Sequence, residues 1–81
     1  MDPTRSMKAY GYPDNDEELH SPIRLNEVTI VATPVMLRKL AEFLNHSAAL
    51  MEQHGSRFGH EHFADFCEGL PEGVPDVIVG R

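Results

Sequence analysis

Two histidines lie one residue apart in the segment FGHEHFADF, which runs from Phe58 to Phe66. If this segment is extended, the alternation of side chains places His60 and His62 on one side of the strand, where their imidazole nitrogens can share a metal ion. Three further side chains could add a ligand to this pair: His54, Asp65 and Cys67. This set suits Zn²⁺, and an open fourth position would bind a water of lowered pKa. The segment therefore allows a zinc site, but a pair of exposed or hydrogen-bonded histidines is the favoured interpretation.

The stronger signatures of zinc proteins, His-Glu-x-x-His and Cys-x-x-Cys, do not occur in the sequence. His54 also has an explanation without a metal, because an imidazole at a helix C-terminus interacts favourably with the last carbonyls and the helix dipole. A histidine base with Cys67 as nucleophile would need an orienting third group and an oxyanion-stabilising turn, and the sequence places neither. We therefore assign no catalytic residue and no cofactor-binding residue, and zinc is the one cofactor that the pattern allows.

The composition limits the architecture and the class of partner. With 81 residues the chain can form one small domain over 1–81, in which 1–6 is expected to be a flexible N-terminal extension. The formal net charge is -6, from 13 acidic and 7 basic residues, without a run of Lys or Arg. Phosphate backbones repel such a surface, so nucleic acid is not an expected partner, whereas a basic protein would be attracted.

Cysteine usage and hydropathy indicate the compartment. Cys67 is the single cysteine of the sequence, so an internal disulfide is excluded and a reducing, cytoplasmic setting is favoured. No segment approaches the roughly 18 apolar residues that span a bilayer, so no membrane association is expected.

The first half of the sequence predicts two strands. The segment Met7 to Tyr12 has aromatic and short apolar residues suited to a strand. An acidic, proline-bounded segment over 13–22 follows and is expected to be an exposed loop. The segment Arg24 to Thr33 gives the clearest strand pattern, with Val28, Ile30 and Ala32 on one face and Glu27, Thr29 and Val31 on the other.

A long amphipathic helix is predicted from Pro34 to His54. Thr33 is a good N-cap, Pro34 suits the first helical position, and Gly55 suits the left-handed residue that closes a helix. The residues at helical spacing form an apolar stripe that is expected to face a sheet: Leu37, Leu40, Leu44, Ala48 and Met51, with Met36, Phe43 and Leu50 on its flank.

After the helix, the sequence predicts a short extended piece over HEHFADF and a closing strand over Pro75 to Gly80. The order is β-β-α-β-β, which predicts an α+β fold with a small three- or four-stranded sheet covered on one face by a single long helix. The other face is half apolar, which is compatible with a homodimer.

The residues from Glu27 to Gly80 resemble a family of small bacterial proteins. The shared pattern is a strand, a helix that begins at proline, a Gly-His-Glu-His segment with an aromatic and acidic tail, and a closing apolar strand. Some members of that family are predicted immunity proteins that neutralise polymorphic toxins of competing bacteria. The resemblance implies a bacterial, cytosolic and non-enzymatic protein.

These observations predict a small acidic binding protein of the toxin-neutralising immunity type. Its partner would be a protein, in particular a basic toxin, and the contact would include His60, Glu61 and His62. A metal-binding protein that uses the His-x-His site is the first alternative. A structural or accessory subunit that acts by oligomerisation is the second.

Overall fold

The computed structural model describes residues 7–13 and 21–81. The predicted extension over 1–6 and most of the predicted acidic loop lie outside these residues. The chain divides into two compact units, Met1–Val31 and Ala32–Arg81, and each is described by itself. One domain can contain two such units, so a single domain over 1–81 stays a prediction.

The first unit contains a short antiparallel ladder of two strands, β1 (Ala9–Gly11) and β2 (Ile23–Leu25). Tyr10 pairs with Arg24, and the flanking pairs place Ala9 opposite Leu25 and Gly11 opposite Ile23. The strand predicted over Met7 to Tyr12 is therefore present, with its ends one or two residues shorter.

The strand predicted over Arg24 to Thr33 is wrong over most of its length. The ladder ends at Leu25, and the segment that follows, 26–33, belongs to neither a strand nor a helix. Val28 and Ile30 are 54% and 56% exposed, and Val31 is 94% exposed. Alternating β-branched residues fit a pleated surface, but a strand also needs a neighbour with which to exchange hydrogen bonds, and local sequence does not specify that neighbour.

The second unit begins with the predicted helix, α1, which spans Pro34–His54. The Thr33 hydroxyl accepts a hydrogen bond from the backbone N–H of Met36 at 3.2 Å, so this side chain satisfies one of the free donors of the first turn. At the other end, Gly55 has φ 55° and its N–H donates to the Met51 carbonyl. The predicted bounds of the helix and its N-cap are confirmed, and Gly55 closes the helix with the positive φ expected of glycine, although its ψ of -126° lies outside the left-handed helical region.

The buried face of α1 differs from the predicted stripe. Leu40, Phe43 and Ser47 are buried, whereas Leu37 and Leu44 are 44% and 46% exposed. Ala48, also assigned to the stripe, is exposed. The helix carries two adjacent apolar rows, and the row that contains Phe43 faces inward because the aromatic side chains after the helix pack against it.

A 3₁₀ turn (Gly55–Arg57) leads from α1 to strand β3 (His60–His62) and helix α2 (Phe63–Phe66). The predicted extended piece therefore becomes helical after its first three residues. The closing strand, β4, spans Ile78–Gly80 and pairs antiparallel with β3. It is shorter than the predicted strand over Pro75 to Gly80.

Leu40, Phe43 and Phe63 form the buried core cluster, and the partly exposed ring of Phe66 packs beside Phe43. Phe43 is 0% exposed and lies 5.4 Å from Phe63 and 5.6 Å from Phe66, measured between ring centroids. Such tilted aromatic pairs contribute beyond the apolar area they bury. Partly buried side chains surround this cluster: Met36, Cys67, Leu70, Val77 and Val79. Helix α1 thus packs against α2 and the side chains next to β4.

The described residues form an α+β protein with one main helix, and the order of the elements is roughly that predicted, although the second strand is Ile23–Leu25 rather than Arg24 to Thr33 and a short helix follows β3. The prediction of one three- or four-stranded sheet does not match the described residues, whose strands pair as two separate two-stranded sheets. No helix within 7–13 and 21–81 is long and apolar enough to cross a membrane.

Candidate functional site

The two-stranded ribbon of β3 and β4 carries the histidine segment and has two different faces. Glu61 pairs with Val79, which packs against the core, so this pair lies on the inner face. His60 pairs with Gly80 and His62 with Ile78, which is 56% exposed. These four residues define the outer face of the ribbon, and it is open to solvent.

The outer face brings the two imidazoles together. The ring centroids of His60 and His62 are 5.0 Å apart, and the ring planes meet at 69°. Side-chain alternation in β3 positions them on one side of the strand, as the sequence predicts.

His62 is held by a carboxylate that precedes β4. Its Nδ1 lies 2.6 Å from Oδ2 of Asp76, and in the tautomer that satisfies both groups this nitrogen donates to the oxygen. The other carboxylate oxygen of Asp76 accepts from the backbone N–H of Ala64 at 2.9 Å. The Phe63 N–H also donates to the Val77 carbonyl at 2.8 Å. Asp76 thus joins the end of β3 and the start of α2 to the segment that enters β4.

The pair of His62 and Asp76 shifts both pKa values toward the charged forms. The pKa of His62 is raised above its ordinary value of 6.5, first by the hydrogen bond to Asp76 and then by the charges of Asp76, Asp65 and Glu61. For Asp76 the largest single influence is desolvation, which raises the pKa, but the hydrogen bonds from His62 and Ala64 and the charge of His62 together lower the pKa below 3.8. The pair is therefore an ion pair wherever His62 is protonated and Asp76 is ionised.

The ribbon and the segment that connects its strands are strongly acidic. Between Phe58 and Gly80 the sequence has no Lys or Arg and five acidic residues: Glu61, Asp65, Glu68, Glu72 and Asp76. All but Glu61 are exposed, and Glu61 is half-buried. Arg81 directly follows the ribbon, and its guanidinium donates to the Gly55 carbonyl. Asp76, Asp65 and Glu61 are close enough to His62 for their charges to act on its pKa, so the surface around His62 is negative, and Arg57 and Arg81 flank the acidic range in the sequence.

The remaining predicted ligands lie at separate places in the fold. His54 is the last residue of α1 and is exposed, Asp65 is exposed on α2, and Cys67 is half-buried against the core. Within residues 7–13 and 21–81, no group of three or more His, Cys, Asp or Glu is placed to hold a metal ion. Zinc binding by the predicted five-residue set stays a prediction.

Sequence reasoning missed Asp76, which lies 14 residues from His62. The signal was present: an acid stands just before the apolar residues of the closing strand, and a histidine ends the preceding strand. Pairing these two strands as a ribbon would have placed the acid beside the histidine, because His62 is opposite Ile78 and Asp76 is two residues before it.

A family model described as Immunity protein 32 matches residues 27–81, about two thirds of the chain. The chain belongs to the Immunity protein 32 family. The matched region includes all of the second unit, with the ribbon and its outer face, and it confirms the resemblance to immunity proteins. No curated protein and no solved structure matched this Immunity protein 32 family member.

Proposed function

We propose that this protein binds a protein toxin and neutralises it, and that the outer face of the ribbon is part of the contact surface. The observation that carries the proposal is the Immunity protein 32 match over residues 27–81, because an immunity protein acts by binding a toxin. The geometry of the second unit supports the choice of surface.

The outer face combines apolar and polar groups in the way that protein interfaces do. Ile78 is 56% exposed, and the exposed His60 and partly exposed His62 stand beside it on the same face. Apolar and aromatic side chains surrounded by polar residues are typical of the centre and rim of a binding surface.

The charge around this face favours a basic partner. Five acids and no Lys or Arg lie between Phe58 and Gly80. A negative surface attracts a positive one, raises the rate of encounter, and makes that rate fall as salt is added. A nuclease or another toxin with a basic active-site groove fits this chemistry. In this proposal the acidic ribbon covers that groove.

The decisive experiment uses the full chain as bait in a lysate of the native host, with mass spectrometry of the captured proteins. We expect a captured protein whose expression alone arrests growth, and whose co-expression with this chain restores growth. Enrichment of no such protein over an acidic control of equal charge would contradict the proposal.

Two matched variants test the surface. Ile78 and Ile30 are each 56% exposed, and they lie in different units. Ile78→Arg places a cation in the acidic face and is expected to abolish both capture and rescue, whereas Ile30→Arg is expected to preserve them. If the two substitutions had equal effects on capture and rescue, the outer face would not be part of the contact surface.

A further inference from the structure

We propose that the outer face of the ribbon binds a late first-row divalent metal ion, with Zn²⁺ as the reference ion, through His60 and His62. Asp76 positions His62 for this role. The proposal rests on the geometry of these side chains and does not depend on toxin binding.

The separation of the two rings fits chelation. With Zn–N bonds of 2.0–2.1 Å, each ring centroid stands about 3.2 Å from the metal, and two rings at a tetrahedral angle stand about 5.2 Å apart. The centroids of His60 and His62 are 5.0 Å apart. The His62 ring is held by its hydrogen bond to Asp76, and rotation of the His60 ring about its terminal side-chain torsion, which is broad for histidine, can turn a nitrogen of His60 toward an ion at His62 Nε2.

The hydrogen bond to Asp76 supplies the support that metal-binding histidines use. Such a histidine donates its other ring N–H to a carboxylate or carbonyl, which fixes the ring and makes the ligand nitrogen more basic. Nδ1 of His62 lies 2.6 Å from Asp76 Oδ2, so Nε2 is the nitrogen that binds the metal. When His62 begins as imidazolium, metal binding displaces the Nε2 proton to water, and the Nδ1 proton stays on the hydrogen bond to Asp76.

The surroundings give an ion access and attract it. Gly80 lies opposite His60, and no heavy atom stands within 4 Å of the position that a Cβ would take there. The charges of Asp76, Asp65 and Glu61 act on His62 and make the potential there negative, which attracts a cation. Two protein ligands leave the other coordination positions to water, so we expect weaker binding than at a three- or four-ligand zinc site.

The test is a titration of the full metal-free chain with Zn²⁺ at about pH 8, where free imidazole is neutral, followed by NMR of the histidine rings. We expect the resonances of His60 and His62 to shift together and to saturate at one zinc per chain. His60→Ala and His62→Ala are expected to abolish the joint shift. His46→Gln, which removes an imidazole that packs on Phe66, is the matched control and should bind zinc like the wild type.

Two further variants distinguish a specific metal site from nonspecific binding of zinc to individual imidazoles. Asp76→Asn is expected to weaken zinc binding about tenfold, the lower end of the effect of losing a partner of a metal ligand. Gly80→His adds an imidazole opposite His60 on the same face, and we expect it to tighten binding by at least about tenfold because it completes a three-histidine set.

Independent shifts of His60 and His62, or unchanged affinity in both Asp76→Asn and Gly80→His, would overturn the proposal. An equal loss of binding in His54→Gln would also overturn it, because the ligand set would then extend beyond the ribbon. Backbone amide spectra of each variant without metal check that the fold is retained, and the gain expected for Gly80→His cannot arise from misfolding.

Discussion

Removing one buried oxygen atom is expected to stabilise this protein. Ser47 lies on the inward row of α1, one turn after Phe43, and is 1% exposed. Among the described residues its hydroxyl oxygen has no hydrogen-bond partner. A buried hydroxyl without a partner costs about 1–3 kcal/mol relative to the unfolded state, where water satisfies it.

The substitution Ser47→Ala removes this cost and keeps the rest of the side chain. Alanine also has a higher helix propensity than serine, which adds about 0.5 kcal/mol. The lost oxygen leaves a space smaller than a methyl group, which costs on the order of 0.5 kcal/mol in lost contacts at the density of a protein core. We expect the free energy of unfolding to rise by about 1–3 kcal/mol, because the gain in helix propensity and the loss of contacts offset each other, and the midpoint of thermal unfolding to rise by roughly 4–8 °C per kcal/mol.

Urea unfolding followed by circular dichroism measures this difference, with a slope that should match the wild type. Asn45→Ala is the matched control because Asn45 is an exposed position two residues away on the same helix. It reports the gain in helix propensity alone, about 0.5 kcal/mol. If Ser47→Ala were no more stable than Asn45→Ala, or less stable than the wild type, the hydroxyl would have a partner in solution and the reasoning would be refuted.

Four more outcomes are expected. Phe43→Ala removes the central ring of the core and should cost about 3–5 kcal/mol in urea unfolding, a large share of the roughly 4–12 kcal/mol expected for a chain of this length. Thr33→Ala removes the bond to the Met36 N–H and should cost about 0.5–2 kcal/mol, whereas Thr33→Ser should restore most of it. Proton NMR of the His62 ring should give a titration midpoint above 6.5 that falls toward 6.5 in Asp76→Asn. Because the pKa of His62 is raised in the folded state, its contribution to stability is fully present below pH 6.5. Because the pKa of Asp76 is lowered in the folded state, its contribution is fully present above pH 3.8. The stability advantage over Asp76→Asn should therefore be largest between these values and shrink as pH rises through the folded pKa of His62.

The helix could be predicted to the residue because its signals are local. Thr33 and Pro34 define its start, and Gly55 defines its end, by backbone preferences that act within one turn. The strand predicted over Arg24 to Thr33 was wrong over most of its length because a strand depends on contacts that are not local. Its residues suit a strand, but most of them have no neighbouring strand in the described part of the chain, and pairing is decided by residues far away in sequence.

The inward face of α1 was predicted incorrectly, and the partner of His62 was not predicted, for a related reason. The helix has enough apolar residues for two rows, so the side chains of α2 decide that Phe43 and Ser47 are buried and Leu44 is exposed. The His-x-His spacing was sufficient to predict that the two rings share a side of a strand. The contact between Asp76 and His62 depends on the pairing of β3 with β4, and the spacing of residues within one segment gives no information about that pairing.

The half-buried thiol at Cys67 gives this protein a native reporter of local opening. Cys67 is the single cysteine of the sequence, it follows α2, and it packs against the cluster around Phe43 and Phe63. Local opening around Phe43 and Phe63 exposes this partly buried side chain fully, so the rate of labelling by a thiol reagent rises with the frequency of that opening. A bound partner or metal that holds the ribbon closed should slow that rate in the unmodified chain, without any added label or tag.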